Sequence, residues 1–196
     1  MQSINQGKVV LVAGLYCAGK TTLIRAALSG IPEFSYITTY TTRPPRATEL
    51  NGTHEYVFVS QTEYRRLRQK PGWDHTQTRG ICYGSDAASV NERVLRGKHF
   101  IVVTTMNEQA IASMRAHYAG TTVLLFLNTN VAVCRQRILA PNSGRSEKYL
   151  SDPTQTAEYA AKIAASADYV YEPLGPLAAD EDGFTRLLRK IISNQY

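Results

Sequence analysis

The feature that most constrains this chain is an apolar strand that runs through a glycine-rich turn directly into a helix. Residues 8–13 have the sequence KVVLVA, a continuous apolar run that is typical of a buried strand. The segment Gly14-Leu15-Tyr16-Cys17-Ala18-Gly19-Lys20-Thr21 follows, and residues 20–29 have a helical pattern that ends at Gly30. The spacing fits G-x-x-x-x-G-K-[ST], the P-loop pattern, in the strand–loop–helix context that this pattern requires.

Such a loop is suited to hold a polyphosphate, because its backbone N–H groups and the helix N-terminus point at the anion. Lys20 is expected to reach the β- and γ-phosphates of ATP, and the Thr21 hydroxyl to ligate Mg²⁺. The Cys17 thiol lies between a helix N-terminus and a lysine. It is either a reactive thiol or an inert small residue of the loop. The predicted ATP-binding residues are Gly14, Leu15, Tyr16, Cys17, Ala18, Gly19, Lys20, Thr21 and Thr22.

The rest of the chain alternates apolar β-type runs with helical patterns. This alternation predicts βαβ units and therefore an α/β fold with a parallel, doubly wound sheet flanked by helices. The further predicted strands are residues 36–40, 100–104, 121–127 and 167–171, and the further helices are 107–118, 130–139, 152–167 and 181–193.

Two segments interrupt the alternation. Residues 43–84 are rich in Arg, Tyr and Thr and are predicted to form a small insert. Within it, Ser60 and Glu63 have the spacing of a capping box, which places a helix at residues 61–70. The segment that begins at Pro141 and ends at Gln155 is polar, contains glycine, proline and serine, and is expected to be a mobile flap.

Composition narrows the classes of protein that remain. With 196 residues, 43% apolar and 19% charged, the chain is a globular domain, and wholesale disorder is excluded. Three widely spaced cysteines form no disulfide framework, no signal-peptide pattern is present, and the longest nearly apolar run is too short to cross a bilayer. We therefore expect a cytoplasmic protein without a membrane partner.

The net charge of +6 is compatible with nucleic acid, an anionic surface or a phosphorylated small molecule. The segment Tyr64-Arg65-Arg66-Leu67-Arg68 is the candidate for nucleic-acid binding, but its basic residues are more simply explained as a solvated surface. Small-molecule nucleotides are the expected partners, and the oligomeric state stays open.

A second motif lies in the insert. Its sequence is Thr41-Thr42-Arg43-Pro44-Pro45-Arg46, followed by Glu49, Gly52, the run Tyr56-Val57-Phe58-Val59-Ser60 and later Tyr83-Gly84-Ser85. Two arginines three residues apart, stiffened by prolines, make a preformed fork for a phosphate. Together these residues closely resemble the GMP-binding segment of guanylate kinases, TTR-x-PR-x-x-E-x-x-G, then Y-x-F-V-S, then YG[ST].

The resemblance implies a single guanylate kinase-like domain of the P-loop NTPase fold. Its core would be residues 1–40, 86–140 and 156–196, with a GMP-binding insert at 41–85 and a lid at 141–155. The implied activity is the ATP-dependent phosphorylation of GMP or dGMP by in-line transfer, with Mg²⁺.

The resemblance also implies roles for single residues. Arg43, Arg46, Tyr56 and Tyr83 would bind the GMP phosphate, while Thr39 and Ser85 would lie near guanine O6. Asp74 falls where the family has a glutamate that accepts from guanine N1–H and the 2-amino group, and a carboxylate offers two acceptors to those two donors. The implied catalytic residues are Lys20, Arg43, Arg137 and Arg145, whose charges would stabilise the phosphoryl group in transfer.

No general base is expected, because an acceptor that is already a phosphate dianion needs only positioning and charge neutralisation. The four histidines are scattered along the sequence, as expected for a protein that uses no histidine as a general base.

The chain departs from the family pattern at functional positions. Val103-Thr104-Thr105 stands where guanylate kinases carry Asp-x-Asp, Asp74 is one methylene shorter than glutamate, and Lys162 stands for a lid arginine. Tyr171-Glu172-Pro173 replaces the V-x-N segment beside the adenine. Two alternatives therefore remain: a kinase of another phosphorylated acceptor, such as ribose 1,5-bisphosphate, and a catalytically weak binding module.

Overall fold

The computed structural model describes residues 6–46, 49, 55–78, 80–104, 106–118, 122–140, 149–173 and 177–193. The strands are β1 Val9–Gly14, β2 Phe34–Tyr36, β3 Thr39–Thr41, β4 Tyr56–Phe58, β5 Trp73–Thr78, β6 Ile81–Asp86, β7 His99–Val103, β8 Thr122–Leu127 and β9 Tyr169–Tyr171. The helices are α1 Lys20–Leu28, α2 Gln61–Leu67, α3 Ala87–Leu95, α4 Glu108–His117, α5 Val131–Leu139, α6 Ala157–Ala165 and α7 Leu177–Ser193.

The larger sheet has five parallel strands in the order β2-β7-β1-β8-β9. Strand β1 lies in the middle, with Val9 opposite Phe100 of β7 and Thr122 of β8, and all its residues are buried. A central parallel strand is covered on both faces, which explains why its sequence is apolar throughout instead of alternating. The predicted α/β fold with a parallel sheet flanked by helices is confirmed.

Strands between residues 39 and 86 form a second sheet, in the order β4-β3-β6-β5. Its β5 and β6 are an antiparallel pair with Asp74 opposite Ser85 and Thr78 opposite Ile81. Helix α2 follows β4 and begins at the predicted capping box, where the Ser60 side chain accepts from the Glu63 N–H.

One predicted strand is wrong as a single element. Residues 36–40 divide between the two sheets, because the Ile37 N–H bonds to the Ile101 carbonyl of the larger sheet while the Thr39 N–H bonds to the Glu55 carbonyl beside β4. The chain therefore crosses from the core to the second sheet between these two residues.

Several helix bounds also differ from the prediction. Helix α6 begins at Ala157 instead of residue 152, because the Thr156 side chain caps the Tyr159 N–H and the Gln155 N–H closes a turn on Asp152. Helix α2 ends at Leu67, and α7 already begins at residue 177. Helix α3 was not predicted, and the side chain of Asp86 caps it.

Candidate active site

The P-loop joins the C-terminal end of β1 to α1. Gly19 precedes the helix with φ of 100°, in the left-handed region that a side chain rarely adopts. Lys20 Nζ donates to the carbonyl oxygens of Gly14 and Leu15, at 2.8 Å each. These bonds hold the ammonium group against the loop, where a bound anion would meet it.

A cavity of about 1070 Å³ lies between the P-loop and the second sheet. Its volume is slightly above the usual range of about 300–1,000 Å³ for small-molecule sites, which leaves room for two ligands. The predicted residues that line it are Gly14, Tyr16, Cys17, Ala18, Gly19, Lys20, Thr21, Thr22, Arg43, Arg46, Tyr56, Tyr83 and Arg137. One cavity therefore joins the P-loop to the arginine fork.

The fork is held in place by Glu49. Arg43 Nη1 and Nη2 each donate to a Glu49 carboxylate oxygen at 2.9 Å, and the Arg46 N–H donates to the same carboxylate at 2.8 Å. Burial alone lowers the pKa of Arg43, but the bonds and charge of Glu49 outweigh it, so the pKa is raised. The Arg43 guanidinium also lies 5.4 Å from the Tyr56 ring centroid and 5.2 Å from that of Phe58.

Two tyrosines add neutral donors to the fork. Burial raises the pKa of Tyr56 to about 12, and burial also raises the pKa of Tyr83. Both phenols therefore keep their protons at neutral pH and can donate to an anion in the cavity. The arginines and tyrosines together present charged and neutral donors to the cavity, an arrangement that suits an anion.

Helix α5 and the segment after it contact the P-loop at Tyr16 and Cys17. Gln155 Oε1 accepts from the Tyr16 N–H at 2.6 Å, and the Tyr149 ring meets the Tyr16 ring edge-on at 4.8 Å between centroids. Arg137 on α5 donates from Nη1 to the Cys17 carbonyl at 3.1 Å. Arg145 lies outside the described residues.

The three predicted base-recognition residues lie apart from the cavity lining. Asp74 and Ser85 are opposite each other on β5 and β6, with exposed fractions of 5% and 3%. Burial raises the pKa of Asp74, and the charge of His117 and a hydrogen bond from Ser85 oppose that shift. Thr39 is half-buried on β3, opposite Tyr56.

A sequence model of one protein family, "Guanylate kinase", matches residues 6–171. The chain belongs to the guanylate kinase family.

Named relatives agree with this assignment. A "Guanylate kinase" of Rubrobacter xylanophilus is 37% identical over 100 residues, which are 50% of this chain and 52% of that protein. A "Guanylate kinase" of Geobacter metallireducens is 28% identical over 142 residues, 72% of this chain and 66% of that one. The matched part thus spans between about half and two thirds of these relatives' lengths.

A solved structure supports the fold. The crystal structure of guanylate kinase from Anaplasma phagocytophilum superposes with a TM-score of 0.67 at 18% identity, over 95% of this chain and 86% of that one. At this identity the likeness concerns the fold of the guanylate kinase family and not the substrate.

The guanylate kinase pattern did not indicate every residue at the cavity. Gln155 and Tyr149 fall in the polar segment predicted as a flap, and no motif marks them. Their contacts with the P-loop join residues more than 130 positions apart, so no local signal could have found them. The other unpredicted lining residues include Thr78, Ile81, Thr104, Met106, Asn107, Ser151, Asp152 and Asp180.

In this guanylate kinase-family chain, Leu15 of the P-loop and the residues at the family's Asp-x-Asp position relate differently to the cavity. Leu15 does not line the cavity, because its side chain is 2% exposed and packs in the core; its carbonyl contributes by accepting from Lys20. Val103 and Thr104 do line the cavity where the family's first carboxylate was expected, and Thr105 lies outside the described residues.

Within the part of the chain that the structure describes, no cluster of three or more His, Cys, Asp or Glu side chains could hold a metal ion. The single hydroxyl of Thr21 is nevertheless compatible with Mg²⁺, because this ion binds proteins through one or two oxygens and takes its remaining ligands from phosphates and water.

None of the described helices is long and apolar enough to cross a membrane.

Proposed function

We propose that this protein transfers the γ-phosphoryl group of ATP to GMP or dGMP. The observation that carries the proposal is the shared cavity, which is lined by the P-loop and by Arg43, Arg46, Tyr56 and Tyr83. An enzyme that transfers a phosphoryl group between two phosphates needs two anion sites facing one space, and the P-loop and the arginine fork would supply them.

The donor end is the P-loop. Its backbone N–H groups and Lys20 would hold the β- and γ-phosphates, with the lysine exchanging its two loop carbonyls for phosphate oxygens. Thr21 would contribute a hydroxyl ligand to Mg²⁺, which supplies charge neutralisation when bound.

The acceptor end is the arginine fork. Glu49 fixes the plane of Arg43 through Nη1 and Nη2, and the Pro44 carbonyl accepts from Nη1 as well. Nε and one Nη2 hydrogen of Arg43 have no hydrogen-bond acceptor among the described residues and are suited to the acceptor phosphate. Tyr56 and Tyr83 would complete its binding.

In the transfer, an oxygen of the acceptor phosphate attacks the γ-phosphorus while the bond to the β–γ bridging oxygen breaks, and ADP leaves. The acceptor is already an anion, so no proton needs to be removed from it. Lys20, Arg43 and Arg137, with Arg145 of the proposed lid, would balance the charge of the phosphoryl group in flight.

Acceptor recognition would extend beyond the phosphate. Asp74 would accept from guanine N1–H and the 2-amino group, with Ser85 and Thr39 near O6.

We also propose that the insert at 41–85 and the lid at 141–155 close over both substrates and exclude water. Both would be attached to a core of residues 1–40, 86–140 and 156–196.

We place the reaction in the cytoplasm, with nucleotides and not nucleic acid as partners. The three free cysteines support that compartment.

The test is an ADP-release assay with Mg-ATP against GMP, dGMP, AMP, CMP, UMP and ribose 1,5-bisphosphate. Lys20→Ala serves as the blank, and Lys70→Ala, an exposed lysine after α2, is its matched control. Turnover on GMP or dGMP alone supports the proposal. Turnover only on ribose 1,5-bisphosphate would refute the guanine assignment, and ATP binding without turnover on any acceptor would leave a binding module.

A further inference from the structure

The face of the second sheet that lines the cavity continues beyond it. Residues directly opposite in an antiparallel pair share a face, and residues two apart on one strand do so as well. Asp74 and Ser85 therefore share the face of Thr78, Ile81 and Tyr83, which line the cavity.

The end of helix α4 packs against the Asp74–Ser85 end of this face. The Tyr118 hydroxyl, whose residue is fully buried, lies 2.7 Å from Ser85 Oγ, and His117 Nδ1 lies 4.0 Å from Asp74 Oδ1. The Asn91 side chain donates to the His117 carbonyl at 2.7 Å, which anchors the helix end to α3. The predicted base-recognition pair thus has two neighbours that no motif marks.

The Ser85 hydroxyl lies between two polar groups. The Tyr118 hydroxyl is 2.7 Å from Ser85 Oγ, and either oxygen can be the donor in that contact. The Asp74 carboxyl is directly across the β5–β6 pair, and a hydrogen bond from Ser85 lowers its pKa. Burial raises the pKa of Tyr118, so the phenol keeps its proton at neutral pH and can donate it to Ser85.

Two opposing effects act on the pKa of Asp74. Asp74 Oδ1 is buried with no hydrogen-bond partner among the described residues, and burial raises the pKa of this carboxyl. His117 is the largest opposing influence, and its Nδ1 also lies 2.8 Å from the Ser113 carbonyl. The phenol of Tyr118 also lies near this carboxyl, and the charges of Asp74 and Asp86 both raise the pKa of Tyr118. Tyr64 packs against Trp73 and His75 on the opposite face of the sheet, where the charge of Asp74 still raises its pKa, and His75 contributes a backbone N–H to Asp74.

We propose that His117 and Tyr118 are positioning residues for the acceptor base: His117 holds Asp74 in its anionic form, and Tyr118 orients Ser85 toward it. The ligand class is a purine with two adjacent N–H donors, which a carboxylate matches only when it is ionised. This inference rests on the proposed function.

The variants are His117→Asn and Tyr118→Phe, with Gln109→Asn, an exposed residue on the same helix, as the matched control. In His117→Asn the side chain retains a hydrogen-bond donor near the position of Nδ1 but carries no charge. The pKa of Asp74 should therefore rise, and the acidic limb of the pH profile of kcat/KM for GMP should move to higher pH. Tyr118→Phe should raise the KM for GMP roughly two- to tenfold, the factor that one hydrogen bond is worth. Both variants should keep the KM for ATP and the kcat at saturating GMP.

This inference would be overturned if the acidic limb stays in place in His117→Asn and the KM for GMP is unchanged in Tyr118→Phe. Turnover of GMP in the same experiment would still support the proposed function. Absence of GMP turnover in the unmodified protein would overturn the proposed function instead. In that case the carboxyl ¹³C titration of Asp74 without nucleotide decides: a higher Asp74 pKa in His117→Asn supports the charge role, and an unchanged one refutes it.

Discussion

Replacing Glu49 by glutamine should both destabilise the protein and weaken acceptor binding. Glu49 accepts three hydrogen bonds at 2.8–2.9 Å, two of them from Arg43, and the side chains of this pair are only 9% and 8% exposed. Glutamine has one acceptor oxygen and turns an NH₂ group toward the guanidinium. The change therefore leaves a buried charge without its partner.

The magnitude follows from the bonds lost. Each hydrogen bond to a charged group contributes about 1.5–3 kcal/mol, and breaking a buried pair costs about 3–5 kcal/mol. Because glutamine keeps one of the acceptor oxygens, we expect the free energy of unfolding to fall by about 2–3 kcal/mol. For a chain of this length that is a drop in Tm of roughly 5–10 °C.

The effect should depend on pH in a defined direction. The bonds from Arg43 and Arg46 outweigh the effect of burial and lower the pKa of Glu49. A lowered pKa adds stability that is present above the unfolded value, about 4.3, and is lost as the pH falls through the folded value. The difference in stability between the protein and Glu49→Gln should be full at pH 7 and shrink below pH 4.

Calorimetry at pH 7 and at acidic pH measures the stability, and the ADP-release assay measures the KM for GMP, which should rise several-fold. Glu92→Gln is the matched control, because its exposed pair with Arg96, the residue that ends α3, contributes at most about 0.5 kcal/mol. Equal Tm values for the two variants at pH 7 would refute the reasoning that Glu49 holds the fork.

Three further predictions concern the second sheet and the P-loop. Gly84→Ala should lower the Tm by several degrees in differential scanning fluorimetry, because the added Cβ would overlap the Trp73 ring nitrogen. Lys20→Ala should reduce kcat/KM roughly 10²- to 10³-fold in the ADP-release assay, the range for losing one preorganised donor to the transition state, and a smaller loss would contradict its role. Gln155→Ala should speed hydrogen exchange at the Tyr16 amide, since it removes the acceptor of that N–H; unchanged exchange would mean that another group protects it.

Local patterns were sufficient for the elements whose residues are close in the chain. The P-loop, β1 and α1 follow one another without a gap, and the apolar run, glycine turn and helical pattern all lie within about 20 residues. The fork is likewise local, since Arg43, Arg46 and Glu49 are within six positions of one another. The parallel sheet was predictable because alternating strands and helices leave few other arrangements.

Contacts between distant parts of the chain decided the rest. Residues 36–40 look like one strand, and only the separate partners of Ile37 and Thr39 divide them between two sheets. The contact of Tyr16 with Gln155 spans 139 positions, and His117 lies 43 positions after Asp74. The sequence alone therefore determined the P-loop between β1 and α1, the position of the arginine fork and the family. The tertiary structure decided what covers the loop and what surrounds Asp74, because packing brings together residues that share no local pattern.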